Sequence, residues 1–252
     1  MEAAEYRKLA EVEDAMWYFR ALHAHVEREL AAALGEGGAD VLDAGCGTGG
    51  LIRRLGGRRP AWHWIGVDLE PVACALARAR VGGGAEIREA SVTALPLADA
   101  AFDAVVSADV LYHVDDEAAA LREFFRVLRP GGVVVINVPA YRWLWSYHDE
   151  AVQARRRYAR GEVLAKLAAA GFVEGWATHW NTLPFPLMVA RRKFFPAPRG
   201  GSDVQLFPAS VEAAFNVAMA LERAWLRGVG RLPFGSSILA VAQKPPGAKN
   251  RL

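Results

Sequence analysis

Val41-Leu42-Asp43-Ala44-Gly45-Cys46-Gly47-Thr48-Gly49-Gly50 is the stretch that decides the fold. A short apolar run enters an acid, a tight glycine turn and the start of a helix. That order reads as a buried strand feeding an α/β crossover. Gly45, Gly47 and Gly50 satisfy G-x-G-x-x-G, which says that a ligand comes close to the backbone. Working outward, Trp62 to Val67 is a second strand, followed by Asp68 and a helix opened by Pro71, a residue suited to a first turn. Ala85 to Ala90, Phe102 to Ala108 and Val133 to Val138 read as three more strands. A helix from about Asp116 to Leu128 turns Leu121, Phe124, Phe125 and Leu128 inward, and Arg129-Pro130-Gly131-Gly132 stops it. Five alternations predict a parallel sheet with helices on both faces.

Residues 5–34 look helical, with Met16, Phe19, Leu22, Val26 and Leu30 spaced by three and four. Residues 140–160 read as a loop or short helix, and Glu162 to Ala170 as a helix. Phe172 to Trp180 and Ser236 to Gln243 read as a last, antiparallel strand pair. The residues between them, 181–235, are too many for a turn. They hold proline-rich loops and an amphipathic helix, Val211 to Leu226. The expectation is one domain over 1–252: a helical segment 1–37, a core sheet from 38–180 and 236–243, an inserted cap 181–235, and a frayed tail from Pro245.

The chain has 252 residues, 53% hydrophobic and 23% charged. This excludes a disordered chain, a collagen and a coiled coil. A net charge of +2 argues against a dedicated nucleic-acid binder. Cys46 and Cys74 make no disulfide framework and read as free thiols in a reducing compartment. The start lacks the features of a signal peptide, and no apolar run reaches the ~18 residues that span a bilayer. The expectation is a soluble cytoplasmic protein.

Asp68 ends the second strand at about the spacing of a ribose contact. The glycines and Asp68 alone also describe a dinucleotide site. Asp43 breaks the tie. A pyrophosphate beside it would face a carboxylate at close range, whereas a ligand with a sulfonium and an ammonium would be attracted. S-adenosylmethionine carries both, and a ribose.

Val41 to Gly49 resembles the first motif of class I S-adenosylmethionine-dependent methyltransferases. Gly66-Val67-Asp68, Ala94-Leu95-Pro96-Leu97 with Phe102-Asp103-Ala104-Val105, and Arg126 to Gly132 resemble later motifs of that family in order. The resemblance covers roughly 38–180 and 236–243, and implies a Rossmann-like sheet. It also implies that Asp43, Gly45, Cys46 and Gly47 line the methionine end of the cofactor. Asp68 would hold the ribose hydroxyls and Leu69 would pack on the adenine. Ser91 and Val92 stand where the family commonly has an acid for the adenine amino group. Ala108 would lie beside the sulfonium. The three adjacent aromatics of Trp17-Tyr18-Phe19-Arg20 cannot all face one side of a helix, so some pack on the core while Tyr18 or Arg20 reaches the cofactor mouth.

Methyl transfer needs a nucleophile held in line at about 3 Å, and a hydroxyl nucleophile also needs a base. His113, just after the fourth strand, is one candidate, alongside Tyr112. His148, with Asp149 as its acid, is the other, in a segment anchored by Trp143 and Trp145. Arg155-Arg156-Arg157-Tyr158 reads either as a solvated face or as an anion clamp on the substrate. Pro139-Ala140 with Leu144-Trp145-Ser146 and His148-Asp149, followed by Arg156-Arg157-Tyr158, resembles a methyltransferase subgroup, as does Trp17-Tyr18-Phe19-Arg20. Arg20, Tyr112, Trp145, Arg157 and Tyr158 are therefore the substrate-contact candidates. No metal site is expected, because the six histidines show neither an i, i+4 pair nor cysteine partners at zinc spacing.

The 181–235 segment sets Arg191, Arg192, Lys193, Arg199, Arg223, Arg227 and Arg231 against Asp203, Glu212 and Glu222. A substrate lid or plain packing is favoured over membrane-surface contact, because its basic and aromatic residues fall on no single clear face. The expected function is methyl transfer from S-adenosylmethionine to a small-molecule acceptor, at oxygen or nitrogen. The rival readings are a nicotinamide-dependent oxidoreductase and a non-catalytic cofactor- or partner-binding module. The oligomeric state is not legible.

Overall fold

The computed structural model describes residues 3–196 and 202–247. Arg199 and the end of the expected tail lie outside them. Seven strands form one sheet: β1 (Ala39–Ala44), β2 (Trp62–Asp68), β3 (Ala85–Glu89), β4 (Phe102–Ala108), β5 (Leu128–Pro139), β6 (Val173–Trp180) and β7 (Ser237–Gln243). Their order is β3-β2-β1-β4-β5-β7-β6. The first five strands run parallel, and β7 lies antiparallel between β5 and β6. The order reverses between β1 and β4, which opens a crevice at their carboxyl ends, the position where open α/β sheets bind ligands.

Strand alternation divides the core. Leu42, Val105, Val134 and Ile136 face one layer, with Leu121 and Phe124 of α5 (Glu117–Val127) and Leu167 of α7 (Arg160–Ala169). Val41, Ala104, Val106 and Val135 face the other, against α2 (Trp17–Leu34) and α3 (Gly50–Arg58). Leu22, Val26 and Leu30 are the buried stripe of α2. Each such side chain contributes about 1.5–3 kcal/mol. α4 (Pro71–Val81) packs on β3, and α6 (Tyr147–Ala151) is a single short helix after β5.

Four local expectations are corrected. The single helix over 5–34 is two, α1 (Ala3–Val12) and α2, because the chain bends at 13–16 to bury Glu13. β5 begins at Leu128 and absorbs the turn residues Arg129 to Gly132; Lys244 supports this end, its N–H donating to the Gly132 carbonyl and its carbonyl accepting from Gly131. α8 (Phe185–Phe194) lies where sequence suggested only loops. Its prolines, Pro184 and Pro186, occupy the N-cap and first turn, where a missing N–H costs nothing. α9 (Ala209–Val229) is longer than the stretch 211–226. Met219 and Leu226 of α9 are buried, and Glu212 accepts from the Trp17 N–H at 2.8 Å, so the inserted segment is part of the core.

Candidate active site

The chain leaves β1 through Gly45, at φ +92°, where a Cβ would overlap the Val110 side chain. Gly50 opens α3, and a Cβ there would fall inside the Glu13 carboxyl group. Glu13 accepts from Thr48 Oγ1 at 2.6 Å and from Arg80 Nη1 at 2.5 Å. The third glycine of the motif therefore admits an acid that latches the N-terminal segment onto the loop. Sequence reasoning missed Glu13, because its partners are 35 and 67 residues away.

A cavity of about 860 Å³ opens along this edge. That volume suits a cofactor together with an acceptor. Asp43, Gly45, Cys46, Gly47, Asp68, Leu69, Ser91, Val92, Ala108 and Tyr18 all line it. Asp68 is held from both sides, accepting from Gly47 N at 2.8 Å and Glu70 N at 3.0 Å; burial still raises its pKa. Ser91 Oγ accepts from Thr93 N at 3.2 Å in a local turn. Asp43 is 2% exposed and has no hydrogen-bond or ion-pair partner among the described residues. Burial, helped by Glu13 and Asp68, pushes its carboxyl up to about 8. A buried carboxylate without a partner is costly, and a ligand cation would relieve it.

At the end of β4, Asp109 adopts φ +60° and lines the cavity. Its carboxylate accepts from Tyr18 OH at 2.9 Å and Asn137 Nδ2 at 2.8 Å. Trp180 Nε1 donates to Asn137 Oδ1 at 2.7 Å and the Trp180 ring stacks on Tyr18. Burial pushes Asp109 up to about 6. Its signal in sequence was only its place, one residue past a strand at the ligand-binding edge.

His113 and His148 both line the cavity, and burial lowers each to about 4, so both are neutral at pH 7. They differ in tautomer. His113 Nδ1 lies 3.3 Å from the Gln153 carbonyl, which can only accept. Its Nδ1 therefore carries the proton and Nε2 keeps a lone pair. His148 Nδ1 accepts from Asp203 N at 3.1 Å, which leaves Nε2 as a donor.

Five expected roles do not survive the geometry. Asp149 does not orient His148: it is bound to Arg157 and also accepts from the Ser146 N–H at 2.9 Å as a helix cap. Arg157 reaches the cavity wall, but its remaining Nη1 donates to the Ala140 carbonyl, so it is no open anion clamp. Tyr158 is 1% exposed in the core and is not a lining residue. Trp145 also lies off the lining, its carbonyl accepting from Lys193. Arg20 points to the opposite side of α2 and lines a separate basic concavity. Helix positions two residues apart diverge by about 200°, so Tyr18 and Arg20 point to opposite sides and do not share a target. Tyr112 does line the cavity.

This strand order, with a glycine turn after β1 and an acid after β2, defines the class I, Rossmann-like methyltransferase fold. Residues 42–136 match the family described as a methyltransferase domain. A Mycolicibacterium smegmatis protein described as a probable S-adenosylmethionine-dependent methyltransferase is 39% identical over 130 residues, 50% of this chain and 47% of that protein. A malonyl-[acyl-carrier protein] O-methyltransferase of Pseudescherichia vulneris is 32% identical over 174 residues, 66% of each chain. The chain thus spans about half to two thirds of these relatives. A chain from the complex between the Haloferax volcanii Trm112 methyltransferase activator and a methyltransferase shares the fold, with a TM-score of 0.62 at 22% identity, covering 98% of this chain and 96% of that one. The chain thus carries a methyltransferase domain over residues 42–136, on the fold of class I S-adenosylmethionine-dependent methyltransferases.

Proposed function

We propose that the protein transfers a methyl group from S-adenosylmethionine to a small-molecule acceptor, at oxygen or nitrogen. The observation that carries this reading is the unpartnered Asp43 carboxyl in the cavity wall beside the glycine turn. It fits a cationic ligand end and disfavours the pyrophosphate of a nicotinamide cofactor. When bound, S-adenosylmethionine supplies an electrophilic methyl group. Asp43 and the Gly45 to Gly47 backbone would hold its amino-acid end, Asp68 its ribose, and Leu69, Ser91 and Val92 its adenine.

Leu9, Met16, Leu187, Met188, Val211 and Phe215 also line the cavity, beside charged residues such as Arg191, Arg192 and Asp203, and the apolar members favour an acceptor with an apolar body. Two groups could take a proton from it. His113 Nε2 has its lone pair free, and Asp109 has the pKa closer to neutrality. His148 serves as a donor that orients the acceptor.

Calorimetric titration with S-adenosylmethionine and with NADH tests the cofactor, and an acceptor screen for S-adenosylhomocysteine release tests the reaction. Tighter binding of NADH would overturn the reading. Cofactor binding without release across a broad acceptor set would favour the non-catalytic module.

A further inference from the structure

We propose that the methyl acceptor carries a carboxylate, seated against Arg191, Arg192 and His148, with its apolar body along Leu187 and Met188. This names the acceptor's class and rests on the methyl-transfer reading.

The cavity differs in charge from end to end. Around the glycine turn its wall is acidic, with Asp43, Asp68 and Glu70. On the side of α6 and α8 it carries Arg157, Arg191 and Arg192. The acids on that side are already matched. Arg157 holds Asp149, and Arg192 holds Asp203 through Nε at 2.9 Å and Nη2 at 2.7 Å. Three guanidinium groups against two carboxylates leave one positive charge, and burial keeps His148 neutral. A single excess charge in a partly enclosed wall suits a monoanion. A phosphate dianion would bring a second negative charge with no partner.

The helix that carries the arginines also carries the apolar wall. Pro184, Leu187, Met188, Arg191 and Arg192 all line the cavity, and their positions fall within about 140° of one face of α8. Apolar groups occupy its first turns and guanidinium groups its last. Asp203 fixes the polar end. Its Oδ1 accepts from Tyr147 OH at 2.8 Å, its Oδ2 holds Arg192, and its N–H donates to His148 Nδ1 at 3.1 Å. Arg192 Nη1 and the His148 Nε2–H are left without a protein partner among the described residues. Arg191 spends Nη1 on the Pro196 carbonyl and lies over the Tyr147 ring, with Nε and Nη2 open among the described residues. A carboxylate accepts from several such N–H groups at once, and donors held in place beforehand lose little freedom on binding it. An ammonium group would meet only donors and like charge. Arg157 is close enough to interact with both Arg192 and Asp109, so one small molecule can span the seat and the proton acceptors.

Calorimetric titration of the full chain with octanoate, 1-octanol and octyl phosphate, with S-adenosylhomocysteine present, tests the proposal. Octanoate should bind at least about tenfold more tightly than 1-octanol. Arg191→Gln and Arg192→Gln should each remove most of that preference and leave 1-octanol and S-adenosylhomocysteine binding within about twofold. Arg192 also supports Asp203, whereas Arg191 holds no carboxylate, so Arg191→Gln keeps the test independent of folding, which circular dichroism checks. Octanoate bound no more tightly than 1-octanol by the wild type would overturn the proposal without any variant. So would a preference that both folded variants keep, or octyl phosphate bound tenfold more tightly than octanoate. The seat consists of protein groups alone, so the preference should persist without S-adenosylhomocysteine. A preference kept by a protein that binds no S-adenosylmethionine would leave the seat standing and overturn the methyl-transfer reading. Cofactor binding without the preference would overturn this inference alone.

Discussion

Arg157 clasps Asp149 with two hydrogen bonds, Nε to Oδ1 at 2.7 Å and Nη2 to Oδ2 at 3.0 Å, with both side chains 2% exposed. The pair ties the start of α6 to the strand-like segment that bridges Ala140 and Tyr158. Removing one partner leaves the other charge buried and alone. Arg157→Met should therefore destabilise the fold by about 3–5 kcal/mol, read as a fall in the urea midpoint. A midpoint unchanged within error would show the pair to be dispensable.

Asp43 makes the free protein pH-sensitive. Its folded pKa of about 8 lies above the unfolded value of 3.8, so the native state binds the extra proton between those limits. Stability contributed by the protonated form is full below about pH 4 and is lost as pH rises towards 8. Asp43→Asn should flatten that fall and leave the variant more stable than wild type at pH 8, by thermal melts in matched buffers. A wild-type melting temperature independent of pH over this window, apart from that of the variant, would contradict the burial argument.

The same proton reports on the cofactor. A cation seated on Asp43 favours its ionised form, so binding S-adenosylmethionine at pH 7 should release up to about one proton per site. Calorimetry in buffers of different ionisation enthalpy measures this number. It should disappear in Asp43→Asn, together with much of the affinity.

Asp68→Ala should weaken S-adenosylmethionine by about 1.5–3 kcal/mol, the scale of hydrogen bonds to a charged group. The variant also frees the Gly47 and Glu70 N–H groups. Unchanged affinity in a folded variant would remove Asp68 from the site.

The proton acceptors separate by pH profile. If Asp109 is the base, kcat should fall below about pH 6 and Asp109→Asn should abolish that limb along with most of the rate. If His113 is the base, the limb lies near pH 4 and His113→Ala lowers kcat about a hundredfold. Both folded variants turning over at the wild-type rate would leave positioning alone to drive the reaction. His148→Ala should change KM more than kcat, since its Nε2 is a donor.

The sequence by itself determined the sheet and the glycine-turn end of the cavity. Strand alternation and glycine turns are local signals, read within a few residues, and Asp43, Gly45, Gly47 and Asp68 belong to one continuous β1–β2 unit. Only the tertiary structure decided the rest. Whether Asp149 faces His148 or Arg157, and whether Arg20 follows Tyr18 or turns away, depends on which layer each helix face meets. Glu13 reaches the glycine turn, and Asn137 with Trp180 reaches Asp109, across 28 to 67 residues of chain. Asp203 joins Arg192 of α8 and His148 of α6 across 11 and 55 residues of chain. Such contacts leave no local periodicity, because they are set by how the layers close on one another and not by the residues next to them in the chain.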